Sequence, residues 1–136
     1  NNIENNTYDF QIINFPNADM VGHTGSYEAA LISAEAVDHC LEKIVSRIEQ
    51  NLDQYALIVT ADHGNSDEMW DYKNNQPHTQ HTLNPVPFIL VSDIKCKLQA
   101  TKDALLSNIA PTILELMGIE KPAEMEGESL IKTTDI

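Results

Sequence analysis

The sequence predicts an α/β domain whose parallel sheet is flanked by helices. Three observations carry this expectation. Phe10 to Phe15 (FQIINF) is a short apolar run with β-branched residues that stops at Pro16, the pattern of a buried strand. A long stretch then repeats apolar residues every three to four positions, which is one face of a helix. Tyr55 to Ala61 (YALIVTA) is a second short apolar run. Strand, helix and strand in that order form a parallel crossover, with the sheet buried on both faces.

Taken in chain order, Asn1 to Asn6 are polar and Asn-rich, and residues 1–7 read as a disordered end. The chain starts at Asn1 and not at Met, which suggests a truncated polypeptide. Asn17 to Gly25 reads as a loop with two glycines. The helix runs from about Ser26 to Gln50, its apolar face made by Tyr27, Ala30, Leu31, Ala34, Val37, Leu41, Ile44, Val45 and Ile48. Ser26 suits the N-cap, and Glu28 suits the positive end of the helix dipole. Cys40 lies within this pattern and is expected as a buried thiol. Asp62 to Asn84 is polar and rich in Gly, Asn, Asp and His; a structureless stretch of that length inside a domain usually does something. Trp70 and Met69 are expected to cover it. Val86 to Val91 is a strand bracketed by Pro85 and Pro87, which Ile94 to Leu98 extends or pairs with. Asn108 suits the N-cap of a helix over Ile109 to Met117, with Pro111 tolerated in its first turn and Gly118 at the C′ position. Residues 122–136 read as a loop-like tail, and the whole of 1–136 as one domain or part of one.

Composition narrows the function classes. The chain has 136 residues, 42% of them apolar, an ordinary share for a globular protein. Eight Lys and Arg against 21 Asp and Glu give a formal net charge of −13. Such a surface repels nucleic-acid phosphates and anionic membranes, and it is compatible with a cation cofactor. Two cysteines, Cys40 and Cys96, are too few for a disulfide framework and fit a reducing cytoplasm. No apolar run approaches the ~20 residues of a membrane span, and no signal peptide is visible.

The chemistry-bearing residues cluster by topology. Of the five histidines, His23, His63, His78 and His81 fall in loops that follow expected strands, while His39 sits in the helix as a structural residue. In open α/β sheets ligands bind beyond the carboxyl ends of strands. Asp19 and His23 after the first strand, and Asp62 and His63 after the second, therefore converge at one edge. The returning loop brings His78 and His81 towards them. Each residue alone has an ordinary reading: a loop histidine is more often a surface residue, and Asp62, His63 and Gly64 together can be a simple turn. Convergence of these potential ligands favours a metal site. Its mixed imidazole and carboxylate donors suit Mn, Zn or Fe better than Ca or Mg.

Four segments carry a family resemblance. NADMVGHTGSYEAA (Asn17 to Ala30), TADHGNSDEMWD (Thr60 to Asp71), QPHTQHTLNPVPFILV (Gln76 to Val91) and LSNIAPTILELMGI (Leu106 to Ile119) resemble the cofactor-independent phosphoglycerate mutases. The likeness runs from about Phe10 to Leu130. It implies the later part of an alkaline-phosphatase-like domain, its parallel sheet flanked by helices. The activity implied is interconversion of 3- and 2-phosphoglycerate in glycolysis and gluconeogenesis, through a phosphoserine and two divalent ions. Manganese is the ion expected, with Zn2+, Mg2+ or Co2+ as alternatives. Matched residue by residue, Asp19, His23 and His81 would hold one ion, and Asp62 and His63 would contribute to the other. His78 matches no ligand position and would support its neighbours. The implied parent is a cytoplasmic monomer acting on a small phosphorylated acid, without nucleic-acid or membrane partners.

The resemblance also shows what these residues lack. The family's nucleophilic serine lies in an Asn-Ser-Glu-Val-Gly-His segment that does not occur here, and Arg47 is the only arginine. The expectation is a chain with one nearly complete metal site, part of a second, and no mutase turnover of its own. The Asp-His-Gly element also permits a phosphopentomutase or phosphatase of the same superfamily, or a non-enzymatic metal-binding module.

Overall fold

The computed structural model describes residues 3, 5, 7–99 and 104–133. The expected disordered end at 1–7 falls largely outside these residues, as do positions 134–136 of the expected tail. The chain divides into two compact units, Asn1–Lys43 with His63–Pro85, and Ile44–Asp62 with Val86–Ile136.

The first unit opens with an extended segment. Phe10 to Phe15 forms no strand: Phe10, Ile12 and Ile13 are 48%, 81% and 52% exposed. Its composition is right for a strand, but a strand exists only when a neighbour takes up its backbone hydrogen bonds, and no described residue does so. Helix α1 (Asn17–Gly22) stands where a loop was expected. Its Asp19 lies in the first turn, favourably placed against the helix dipole. Helix α2 (Tyr27–Glu49) starts where the sequence indicates. Ser26 caps it: its Oγ accepts from Ala29 N–H at 3.3 Å, and its carbonyl accepts from Ala30 N–H. Ala30 and Ser33 are buried, whereas Tyr27, Leu31 and Ala34 on the expected apolar face are exposed. The polar loop contains a hairpin, β2 (Trp70–Asp71) against β3 (Gln76–Pro77). Asp71 builds its turn by accepting from the backbone of Lys73 and Asn74, and Asn75 takes the left-handed conformation at φ 52°. Met69 is buried and Trp70 is 40% exposed.

Strands β1 (Leu57–Thr60) and β4 (Phe88–Val91), in the second unit, pair antiparallel, with Leu57 opposite Val91 and Thr60 opposite Phe88. This corrects the expected parallel pairing. Every strand pair among the described residues is antiparallel, because the segment meant to supply a parallel neighbour to β1 is not a strand. The α/β class itself stands. Strand β5 (Cys96–Leu98) pairs with β6 (Ile131–Thr133) and not with β4, so the tail is not all loop. A short 3₁₀ turn (Leu106–Asn108) leads into α3 (Ile109–Leu116). Asn108 does not cap α3 with its side chain; its amide spans instead from Leu105 N–H to the Glu128 carbonyl. The helix ends as expected, with Gly118 at φ +67°. Gly118 N–H reaches Glu115 O and Ile119 N–H reaches Leu114 O, which satisfies the last carbonyls. Among the described residues of this unit, Ile48, Pro111, Thr112, Leu130 and Ile131 are buried.

Both cysteines are free, and Cys40 is exposed where a buried thiol was expected. No helix among the described residues is long and apolar enough to cross a membrane.

Candidate metal centre

The centre lies within the first unit. Helix α1 places Asp19 and His23 four residues apart, so both side chains leave the same face. The chain then turns through Thr24 and Gly25, with the Thr24 hydroxyl donating to Val21 O at 2.6 Å and Gly25 at φ +70°. A Cβ on Gly25 would come within 2.7 Å of the Pro77 side chain, so glycine permits both the turn and the close passage of the returning loop.

That loop delivers His81. Its Nε2 lies 3.0 Å from Asp19 Oδ1 and 3.2 Å from His23 Nε2. His23 Nε2 is in turn 3.2 Å from Asp19 Oδ1. Three donor atoms thus form a nearly equilateral triangle. Neighbouring ligands on an octahedral ion at roughly 2.1–2.2 Å stand about 3.0–3.1 Å apart. The triangle therefore fits one face of a divalent ion's shell.

The histidine tautomer fits as well. His23 Nδ1 is 2.8 Å from the Thr79 carbonyl. A carbonyl only accepts, so Nδ1 carries the proton and Nε2 keeps the lone pair a metal needs. Asp19 is held from behind by Asn65, whose Nδ2 donates to Oδ1 at 2.8 Å and to the Asp19 carbonyl at 3.4 Å. That hydrogen bond, helped by the nearby imidazoles of His23, His81 and His63 and opposed by desolvation, keeps the Asp19 carboxyl below the usual carboxylate range. Asn65 is 5% exposed and seats against Gly22, where a Cβ would collide with its side chain. Ser66 Oγ donates to Ala18 O at 2.6 Å, a second tie between loop and helix.

His63 joins the cluster by stacking. Its ring lies 3.8 Å from that of His81 at an interplanar angle of 20°. Asp19, His63 and His81 each offer a donor atom within 4.8 Å of the others. Of the sequence-derived candidates, the structure therefore brings together Asp19, His23, His63 and His81. Asp62 belongs to the second unit, at its junction with the first. His78 stands outside the triangle: its N–H donates to Met69 O at 3.0 Å, and its ring contributes to the charge environment of Asp71.

Reading the sequence for ligand types missed the supporting residues. Asn65, Ser66 and the Thr79 carbonyl carry no metal-ligand signature. Only their closeness to His63 and His81 in the chain hints at a role.

Comparisons with known proteins agree with the geometry. Residues 1–121 match the family model described as the metalloenzyme superfamily. The chain is 51% identical over 131 residues to a 2,3-bisphosphoglycerate-independent phosphoglycerate mutase of Clostridium kluyveri, covering 96% of this chain and 25% of that protein. A protein of the same name from Ehrlichia ruminantium is 50% identical over 129 residues, covering 94% and 25%. One from Wolbachia pipientis is 52% identical over 120 residues, covering 88% and 23%. The chain thus spans about a quarter of the length of the curated relatives it matches, and the resemblance read from its four motifs is borne out. On the match over residues 1–121, the chain belongs to the metalloenzyme superfamily.

Proposed function

We propose that these residues form the metal-binding part of a phosphoglycerate mutase that interconverts 3- and 2-phosphoglycerate. The observation carrying this reading is the triangle of Asp19 Oδ1, His23 Nε2 and His81 Nε2, with edges of 3.0 to 3.2 Å. These three residues hold one divalent ion. His63, stacked on His81, and Asp62 beside it in sequence contribute to a second. Manganese suits the mixed nitrogen and oxygen donors. His78 supports the loop and is not a ligand.

Two adjacent divalent ions supply charge neutralisation for a transferring phosphoryl group and its entering and leaving oxygens. The residues of this chain hold and orient. Thr79 fixes the His23 ring, Asn65 fixes the Asp19 carboxylate, and neither ligand needs to take up a proton. Because these 136 residues contain no Asn-Ser-Glu-Val-Gly-His segment, the chain by itself binds metal without catalysing mutation. The enzyme is a cytoplasmic monomer, in keeping with two free cysteines.

Two measurements test the reading. Calorimetric titration of the 136-residue chain with Mn2+ should show saturable binding that His81→Ala abolishes, while a phosphoglycerate assay of the same sample stays at background. A full-length enzyme containing these residues should turn over phosphoglycerate and leave ribose phosphates untouched. Absence of Mn2+ binding, or preference for the ribose phosphate, overturns it.

A further inference from the structure

Gly64 and Thr82 form a single antiparallel bridge, with Thr82 N–H donating to Gly64 O at 2.9 Å. Each is the immediate chain neighbour of a candidate ligand, Gly64 of His63 and Thr82 of His81. Side chains alternate across an extended pair. The bridge therefore turns Thr82 to one face while the flanking His63, Asn65 and His81 serve the other. On the Thr82 face lies Asp67. Its carboxylate accepts from the Thr82 hydroxyl at 2.9 and 3.2 Å and from Asn84 Nδ2 at 2.7 Å. Thr82 is buried, and its hydroxyl also receives Asn84 N–H at 3.4 Å. The fit is tight: a Cβ on Gly64 would collide with Thr82 Oγ1 and come within 2.7 Å of Asp67 Oδ1.

Asp67 is not a corner of the donor triangle, yet its carboxylate ties the start of the loop, beside His63, to its end, beside His81. We propose that Asp67 is a positioning residue: by gripping Thr82 and Asn84 it clamps the Gly64–Thr82 bridge and sets the stacking of His63 on His81. The β2–β3 hairpin and the His78 N–H bond to Met69 O order the middle of this 18-residue excursion, whereas its two ends, which carry the ligands, meet through one backbone hydrogen bond and this clamp. Hydrogen bonds to an ionised acceptor are shorter and stronger than neutral ones, which suits a carboxylate to this task. The inference rests on the proposed metal site, but its first readout does not need a metal.

The test uses the full chain with Asp67→Ala, Thr82→Val and the double variant. Stacked imidazoles shift each other's ring protons, so the ring resonances of His63 and His81 report their mutual placement without metal. Both single variants should move those resonances and weaken Mn2+ binding about tenfold, the usual effect of losing a ligand's support. The double variant should be no worse than the worse single one, because both changes open the same clamp. Should Asp67→Ala fail to fold, Thr82→Val, which keeps the side-chain volume, decides alone. Unchanged ring resonances with unchanged Mn2+ affinity in a folded variant overturn the clamp, as do additive losses. If the unsubstituted chain binds no Mn2+, the metal reading falls, while the ring resonances still judge the clamp.

Discussion

Asn65 donates its side-chain amide to Asp19 Oδ1 at 2.8 Å across 46 positions of sequence. This one contact ties the polar loop to the carboxylate of α1 and holds that carboxylate ionised. Asn65→Ala should leave the Asp19 carboxyl closer to its ordinary range near 4. A carbon-detected NMR titration of the metal-free chain should show Asp19 titrating at higher pH in the variant than in the parent; equal midpoints would contradict the assigned role.

His23→Ala or His81→Ala removes a corner of the donor triangle. Each should cost Mn2+ affinity more than the roughly tenfold to hundredfold lost with a supporting partner. Calorimetry on the metal-free chain checks this, with His39→Ala as the control, since His39 lies on the exposed side of α2 beside Glu42.

Gly22→Ala forces a methyl group into Asn65 and to 2.8 Å from Ser66 Oγ. Overpacking of this kind costs about 1–3 kcal/mol. Urea unfolding followed by circular dichroism should show a lowered midpoint, and Mn2+ affinity should fall with it because Asn65 is displaced from Asp19.

Thr112 is 0% exposed, and its hydroxyl both donates to Asn108 O at 2.7 Å and accepts from Leu130 N–H at 2.9 Å. Thr112→Val keeps the shape and leaves the Leu130 N–H without its acceptor, at a cost of about 1–3 kcal/mol. Chemical denaturation should register this loss with the metal site unaltered.

The pH dependence of stability should carry a contribution from Asp67. The Asn84 amide first, then the Thr82 hydroxyl and nearby backbone N–H groups, outweigh desolvation and lower its carboxyl below the usual range. A depressed carboxyl adds stability above its unfolded value near 4, and that contribution is lost as pH falls through the lower folded value. Asp67→Asn should therefore flatten the acid limb of a stability profile measured from pH 7 down to pH 2. An acid limb of unchanged slope would contradict this.

Much of this arrangement is legible in the sequence because its signals are local. The period of α2, the cap at Ser26 and the stop at Gly118 each follow from a few neighbouring residues. Asp19, His23, His63 and His81, singled out by residue type, also lie together in the structure. Pairing was not legible. Phe10 to Phe15 has a strand's composition, but nothing in that composition says whether a partner lies alongside. The partnership of β5 with β6 is hidden for the same reason, its residues being far apart in the chain. Helix α1 escaped because a six-residue segment that follows a proline and ends on a glycine looks like a turn. Asn65 and Asp67 escaped because their roles exist only once distant segments meet.

One acceptor in the centre has no side chain to alter. The proton on His23 Nδ1 is placed by the carbonyl of Thr79, a group that every residue type provides. Alanine scanning along 76–81 would register His81 and pass over position 79 entirely. Only a change to the main chain itself, such as an ester bond between residues 79 and 80 that weakens that carbonyl as an acceptor, would expose its influence on which nitrogen of His23 is free to bind.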